Sequence, residues 1–482
     1  MESNGQPGRV HISEETASLL AQSGKSHWVE MREDKIVAKG KGELQTYWLV
    51  RNTNSSTGTG SEISESVCDD TTTTSGTTPT EESHAASQLD AKIMRLVSWN
   101  AQSLLGPLEQ LSALRALESP SDDSGDYFPE VDDTKIPLEE VADAIEVFPS
   151  SYVPATELND TPMDPEVEPQ LQEFCTVIAS LYGNHAFHNF EHASHVLMSI
   201  LRLFSRIMKP KGGVEETMEI KCARSYGLAC DPLVFFSCLL AALVHDVDHP
   251  GVSNETYREE NPTIGEFYGE KSVAEQNSID LAWKLLMDER FGKLRRAIFR
   301  NEKEKMRFRM IFVNACMATD LMDTDRLEHN LERWTSVFGN REAGGDGIPE
   351  NTCAETCERN LRATLVMEDL IRASNISHTL QHFQVFRKWN CRLFRESMLA
   401  YVSGRTNRNP AEYWYQQELD FFDGTVIPLA RRLQSSGVFG RNSGVSNEYL
   451  DFALMNRREW EYCGAALVEE YQEMFQENCD SL

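Results

Sequence analysis

Basic charge is scarce in this sequence. Lysine and arginine number 46 against 76 aspartates and glutamates, a formal net charge of -30 over 482 residues. A surface that acidic repels nucleic-acid phosphates and anionic lipid headgroups, which excludes a general DNA, RNA or membrane-surface binder. A small anionic substrate stays open, because a bound metal inverts the local field. Long apolar runs are also missing. The longest, Leu233 to Val244, is about half a membrane span and ends in His245-Asp246. It reads as a buried core helix. No signal-peptide pattern opens the chain, so no direct membrane contact is expected of it. Nor is any cysteine pair spaced CxxC, although there are 11 cysteines. The odd number and irregular spacing point to free thiols, mostly small core residues, in a reducing cytosolic compartment.

The first 50 or so residues read as a compact α/β fragment. Ser13 to Gln22 has a helix-start look, with Glu14 and Glu15 in its first turn. Strand-like pieces follow at His27–Met31, Lys35–Ala38 and Leu44–Val50. Residues 51 to about 93 are Asn, Ser, Thr, Gly and acids, a composition that builds no core and reads as a disordered linker. A short amphipathic helix is expected at 94–115, then more acidic linker. From Pro169 onward helical periodicity is nearly continuous, with segments such as PLVFFSCLLAALVHDV and LQHFQVFRKWNCRLFRESMLAYV. The fold class expected is mainly α, an all-α multi-helix domain behind a small α/β fragment.

Six of the 12 histidines fall in two short stretches. The first, NHAFHNFEHASH, holds His188, His192 and His195 at i, i+4 and i+7, placing them on one helical face. The second, His245-Asp246-Val247-Asp248-His249-Pro250-Gly251, ends the apolar run. A single buried histidine is usually a satisfied core residue. An apolar helix that delivers a His-Asp pair to its last turn, near a second histidine cluster, suits a buried metal site.

HNFEHA at 188–193 and HDVDHPG at 245–251 resemble the paired motifs of the class I cyclic nucleotide phosphodiesterases, an HD-type all-helical fold. The similarity continues in order through SVAEQNSIDLAWKLL, MATDL, ISHTLQHFQVFRKWN and FFDGTVIPLA, over roughly 270 residues. The resemblance implies that His192, His245 and Asp246 ligate metal, with Asp246 bridging two divalent ions, zinc plus magnesium or manganese. His188 matches the general acid. His249, Asn254, Glu275 and Thr319 match groups around the metals that hold their water. Phe421 matches the aromatic that stacks on the purine. The implied activity is hydrolysis of cGMP, cAMP or both to 5′-nucleoside monophosphates.

Several positions depart from that pattern. The family's last metal ligand is an aspartate, where this chain has Asn375, and Arg372 replaces the expected histidine. An asparagine oxygen carries no charge, so metal affinity should drop. Asn277 and Ser278 likewise stand where histidines are common. The family's purine-binding glutamine aligns with Glu418. An ionised carboxylate there only accepts hydrogen bonds, which predicts preference for cGMP. The alternative implied by Asn375 is a catalytically impaired domain that binds nucleotide and regulates a cyclase. A different HD-type phosphohydrolase is a third reading.

The N-terminal stretches MESNGQPGRVHISEETASLL and DKIVAKGKGELQTYWLV resemble the final part of a class III nucleotide cyclase domain, with Lys39 or Lys41 at a triphosphate-contacting position. That family's metal-binding aspartates would lie upstream of Met1. The expected full architecture is a cyclase fused to a phosphodiesterase, cytoplasmic or the cytosolic part of a membrane-anchored protein, with a cyclase domain or a second copy as partner. The expected division is 1–52 cyclase-like fragment, 53–150 linker with one short helix, 151–440 phosphodiesterase domain and 441–482 C-terminal helical tail.

Overall fold

The computed structural model describes residues 10–14, 17, 29–32, 36–38, 42–49, 81–117, 136–148, 163–208, 216–339, 353–440 and 445–480. The chain falls into two compact units, Met1–Thr78 and Pro79–Leu482.

In the first unit β1 (Val10–Ser13) and β2 (Val29–Met31) both pair antiparallel with β5 (Thr46–Leu49), in the order β1-β5-β2. Trp48 faces His11 on one side and Glu30 on the other. Thr46 and Trp48 are buried while Tyr47 is half-buried, the period-two alternation of a one-sided sheet. A separate antiparallel pair joins β3 (Ile36–Ala38) to β4 (Gly42–Leu44). Most of the helix expected at 13–22, both Lys39 and Lys41, and the linker at 51–80 lie outside the described residues.

Among its described residues the second unit is built of helices and has no strand. Its helices of eight residues or more are α1 (Glu81–Leu117), α2 (Val167–Ser180), α3 (Phe190–Met208) and α4 (Pro232–Val244). Then come α5 (Val273–Met287), α6 (Glu302–Met317), α7 (Thr324–Phe338), α8 (Cys353–Asn375) and α9 (Phe383–Val402). The series ends with α10 (Trp414–Phe421), α11 (Ile427–Ser436) and α12 (Val445–Asp480). The chain is mainly α, as its periodicity indicates.

The central element is α4. Asp231 caps it by accepting from the Val234 amide at 3.3 Å, and Pro232 follows at the first position, where no N–H is missed. Its side chains are buried almost all round, packed by α1, α3 and α6. No described helix is long and apolar enough to cross a membrane. Cys175, Cys230, Cys238 and Cys316 are core residues, but Cys353 and Cys357 are exposed.

Two segments read as peripheral are part of the core. The helix expected at 94–115 extends from Glu81 to Leu117 and buries Val97, Leu104 and Leu108 completely. Asn100 within it donates to Ser194 of α3 at 2.8 Å. Residues 136–148 then run as a strap whose amides are met one after another by buried side chains. Leu138 N–H donates to Gln276, Ala142 to Asn314, Ile145 to Thr364 and Phe148 to Asp231, at 2.8–3.1 Å. These acceptors let the irregular segment pack against the core without leaving those four amides unpaired. The C-terminal helix likewise docks, burying Ala453 and Trp460 completely. Its Asn456 amide donates to the carbonyls of Thr379 and Gln381 at 2.8 and 2.7 Å.

Candidate metal and catalytic site

Helix α3 begins at Phe190, so His188 precedes it instead of sharing its face with His192 and His195. Asn189 sets that start. Its side-chain oxygen accepts from the His192 amide at 3.1 Å, while its own amide donates to the His185 carbonyl at 2.8 Å. This cap turns His188 back toward α9 and leaves His192 one turn into the helix. His195, a further turn on, points elsewhere. It stacks on Trp389 with ring centroids 5.2 Å apart and meets Gln381 at 3.3 Å.

The second motif lies where α4 ends. His245 caps the helix, and Asp248 takes a left-handed backbone, φ 58°, uncommon outside glycine. Its amide donates to Leu181 at 3.2 Å and its carboxylate accepts from Asn277 at 3.1 Å. Gly251 is also left-handed, φ 72°, and a Cβ there would stand 2.7 Å from the His185 ring. The two histidine motifs are thus packed on each other at a position only glycine fits.

His192, His245 and Asp246 bring ligand-type atoms within 4.8 Å of one another, and His188, His249 and Asp246 do the same. Asp246 belongs to both groups. His245 Nδ1 faces the Ala242 carbonyl at 3.1 Å and donates to it, which leaves the Nε2 lone pair turned toward Asp246 Oδ2 at 3.1 Å. His192 Nε2 lies 3.6 Å from the same oxygen. His245 Nε2 and Asp246 Oδ2 are buried with no hydrogen bond. Lone pairs converging in a buried place call for a cation, so the residues fit a divalent ion.

Asn375, the last residue of α8, closes this group. Its amide donates to the Thr319 carbonyl at 3.3 Å, so its oxygen is the atom turned to His192 Nε2, at 3.1 Å. The Thr319 hydroxyl is spent on the Cys316 carbonyl at 2.6 Å, and only its backbone reaches the site. One turn back, Arg372 is buried between Glu368 at 3.4 Å and Asp369 at 3.1 Å. Arg432 grips Asp369 with two bonds of 2.8 and 3.0 Å. This explains how an arginine is tolerated where the family pattern has a histidine: two buried acids compensate it.

Asn254 donates to Glu275 at 3.0 Å and accepts from the Ala274 amide at 2.8 Å. Burial, then the Asp320 charge, pushes Glu275 up to about 8, so it carries a proton near neutral pH. His249 Nδ1 accepts from the Gly251 amide at 3.1 Å, and its ring stacks on His188 at 3.8 Å. Burial and the neighbouring His188 lower His249 to about 3, which keeps it neutral.

Sequence reasoning missed Glu396. Its Oε1 lies 2.5 Å from His188 Nδ1, and its Oε2 accepts the amides of Phe187 and His188 at 2.7 and 3.0 Å. Burial alone would lower His188, but Glu396 outweighs it and raises the imidazole to about 9. In turn His188 overrides the effect of burial on Glu396 and holds that carboxyl at about 2. The signal available in the sequence was an acid flanked by Phe394 and Met398, both buried.

Glu418 and Phe421 stand on α10, away from the His–Asp cluster but joined to it through α9. Trp389 packs on His192 with centroids 5.5 Å apart, and its neighbour Asn390 accepts from Trp414 at 3.2 Å and hydrogen-bonds Glu418. Burial pushes Glu418 up to about 8. This corrects the expectation of an ionised carboxylate, and with it the argument for cGMP preference: near neutral pH the group both donates and accepts. Phe421 is half-buried, ahead of a π-helical turn at Phe422–Val426.

Residues 187–436, more than half of the chain, match the 3′5′-cyclic nucleotide phosphodiesterase family, and residues 1–51 match the adenylate and guanylate cyclase catalytic domain. The chain is similar to the "Probable 3',5'-cyclic-AMP phosphodiesterase pde-4" of Caenorhabditis elegans, 26% identical over 45% of this chain and 28% of that protein. It is also similar to the "cGMP-specific 3',5'-cGMP phosphodiesterase 3" of Dictyostelium discoideum, 20% identical over 54% of this chain and 50% of that one. It therefore spans half or less of the length of these relatives. The phosphodiesterase domain of the RhoPDE fusion protein from Salpingoeca rosetta overlays with a TM-score of 0.48 at 20% identity, covering 64% of this chain and 86% of that one. The chain belongs to the 3′5′-cyclic nucleotide phosphodiesterase family.

Proposed function

We propose that this chain hydrolyses 3′,5′-cyclic nucleotides to 5′-nucleoside monophosphates. The observation that carries the reading is the buried His192–His245–Asp246 group with the His188–Glu396 pair beside it. His192, His245, Asp246 and the Asn375 oxygen would hold divalent cations, zinc with magnesium or manganese. Such ions supply Lewis acidity, lowering the pKa of water and offsetting phosphoryl charge.

The chain's own groups do the rest. Glu396 fixes His188 through Nδ1 and keeps the ring protonated, which leaves Nε2–H as the proton to give. Water attacks phosphorus and gives up a proton to solvent, the P–O3′ bond breaks, and His188 Nε2 protonates the departing O3′. The products are a free 3′-hydroxyl and a 5′-phosphate. His249 and protonated Glu275 keep the cavity wall neutral around the anionic substrate. Glu418, as a neutral carboxyl, offers one donor and one acceptor. Rotated either way, that pair matches the edge of adenine or guanine, so the chain accepts both cAMP and cGMP.

Asn375 supports a second reading, in which the domain binds nucleotide without turnover and regulates a cyclase. The test is turnover of both nucleotides by the full chain with zinc plus magnesium or manganese, beside His188→Ala. Hydrolysis that His188→Ala abolishes supports the enzyme. Nucleotide binding with no turnover, together with turnover gained in Asn375→Asp, supports the regulator.

A further inference from the structure

A short helix, Met218–Arg224, and a single turn, Leu228–Cys230, bring two cysteines together just ahead of α4. Tyr226 and Gly227 between them are both left-handed, φ 57° and 93°, and reverse the chain. The Gly227 amide donates back to the Cys222 carbonyl at 2.8 Å. Cys230 Sγ then lies 3.9 Å from the Met218 carbonyl oxygen. In a helix each carbonyl points at the amide four residues on, so Cys230 comes down beside Cys222. The two thiols hydrogen-bond each other. Cys230 is buried, whereas Cys222 is half-buried and within reach of small reagents. The bond from Cys230 holds the Cys222 thiol below its ordinary range against burial, and the Arg359 charge from α8 assists. The same bond, with burial, pushes Cys230 up. Cys222 is thus the readier nucleophile of the two.

We propose that Cys222 and Cys230 form a peroxide-sensing pair that closes into a reversible disulfide and locks the segment ahead of α4. The Cys222 thiolate attacks one oxygen of hydrogen peroxide. The O–O bond breaks, the other oxygen leaves as hydroxide and takes a proton as water, and Cys222 becomes a sulfenic acid. Cys230 sulfur then attacks Cys222 sulfur. The S–O bond breaks, and the departing hydroxide takes the Cys230 proton as a second water. The two thiols give up two electrons, and the peroxide is reduced to two waters. The loop so closed is a junction. Val147 of the strap packs on Gly227, where a Cβ would stand 2.7 Å from its Cγ1. The Tyr226 hydroxyl donates to the Ser436 carbonyl of α11 at 2.8 Å. Asp231, next after Cys230, accepts the amides of Val234 and Phe148. Closing the loop restricts the unfolded chain, so it stabilises the fold these contacts belong to. The inference concerns redox chemistry and stands apart from the hydrolytic reading.

The experiment treats the reduced full chain with hydrogen peroxide and maps its cysteines by alkylation and tandem mass spectrometry. A Cys222–Cys230 bond is expected before the fully buried Cys175, Cys238 and Cys316 react, and dithiothreitol should reopen it. Cys230→Ser should stop at the sulfenic acid, which dimedone labels at Cys222. Cys222→Ser should give no dimedone label at Cys230. The oxidised chain should melt about 2–4 °C above the reduced one, with slower amide exchange at 145–148. Cys222→Ser should show neither change. Failure of the Cys222–Cys230 bond to form in excess peroxide, or a dimedone label on Cys230 but not on Cys222, overturns the pair. A bond that forms without raising the melting temperature overturns the lock.

Discussion

The side-chain oxygen of Asn375 lies 3.1 Å from His192 Nε2, aimed there by the amide's own bond to the Thr319 carbonyl. The asparagine thus presents a neutral oxygen to the His–Asp cluster. Asn375→Asp adds the missing charge but sets a carboxylate against the Thr319 carbonyl. Without metal the variant should melt below the natural chain. With metal it should gain more, since the added charge tightens binding about tenfold to a hundredfold, or 1.4–2.8 kcal/mol. Thermal melts with and without divalent ions check this. Equal metal-induced shifts in the two proteins would count against a ligand role at 375.

Glu396 raises His188 to about 9, so the imidazolium persists across the physiological range. The folded pKa stands above the ordinary value near 6.5. The stability this pair contributes is therefore full below about 6.5 and fades as pH rises through about 9. The alkaline limb of turnover should fall over that same upper range. In Glu396→Gln, burial is opposed only by the smaller pulls of Asp246 and Glu275, and the limb should move down by about one unit or more. A pH–rate profile for each protein decides it. Superimposable alkaline limbs would show that His188 is not the proton donor.

Removing residues 1–150 should not yield a stable domain. That cut takes away Val97, Leu104 and Leu108 of α1 and Ile145 and Val147 of the strap, all 0–1% exposed. Each large buried aliphatic lost costs about 2–5 kcal/mol, against a total stability of about 5–15. Residues 79–482 should melt cooperatively, whereas 151–482 should aggregate or bind hydrophobic dyes. A sharp, native-like melt of the shorter chain would contradict the packing described.

Selectivity between nucleotides should depend on pH through Glu418. Near neutral pH the carboxyl is protonated and serves both bases. As pH rises through about 8 it ionises and only accepts, so adenine loses a partner for its ring nitrogen while guanine keeps two donors. The ratio of kcat/KM for cGMP over cAMP should climb about tenfold between pH 7 and 9.5. Glu418→Gln should make the ratio flat. A ratio independent of pH in the natural chain would place Glu418 outside the base site.

Much of the fold was legible. The apolar run 233–244 could only be a buried helix, and Asp231-Pro232 marks its start. The two histidine motifs announce themselves by density. What stayed hidden depends on long-range partners. Glu396 is 208 residues from His188, and Asn314 is 172 from the strap amide it holds. No periodicity encodes such pairings. Residues 136–148 lack any helical or strand pattern, so a strap with buried side-chain acceptors resembles a linker in one dimension.

By itself the sequence determined the helical class, the residue types at the two motifs, and the loss of one carboxylate at 375. Chain-local spacing and composition carry that information. Only the tertiary structure decided how those groups are charged. Glu418 and Glu275 hold protons, His249 is neutral and His188 is cationic because of what each is buried against. Protonation follows local dielectric and neighbouring charge, and both exist only once distant segments have packed together.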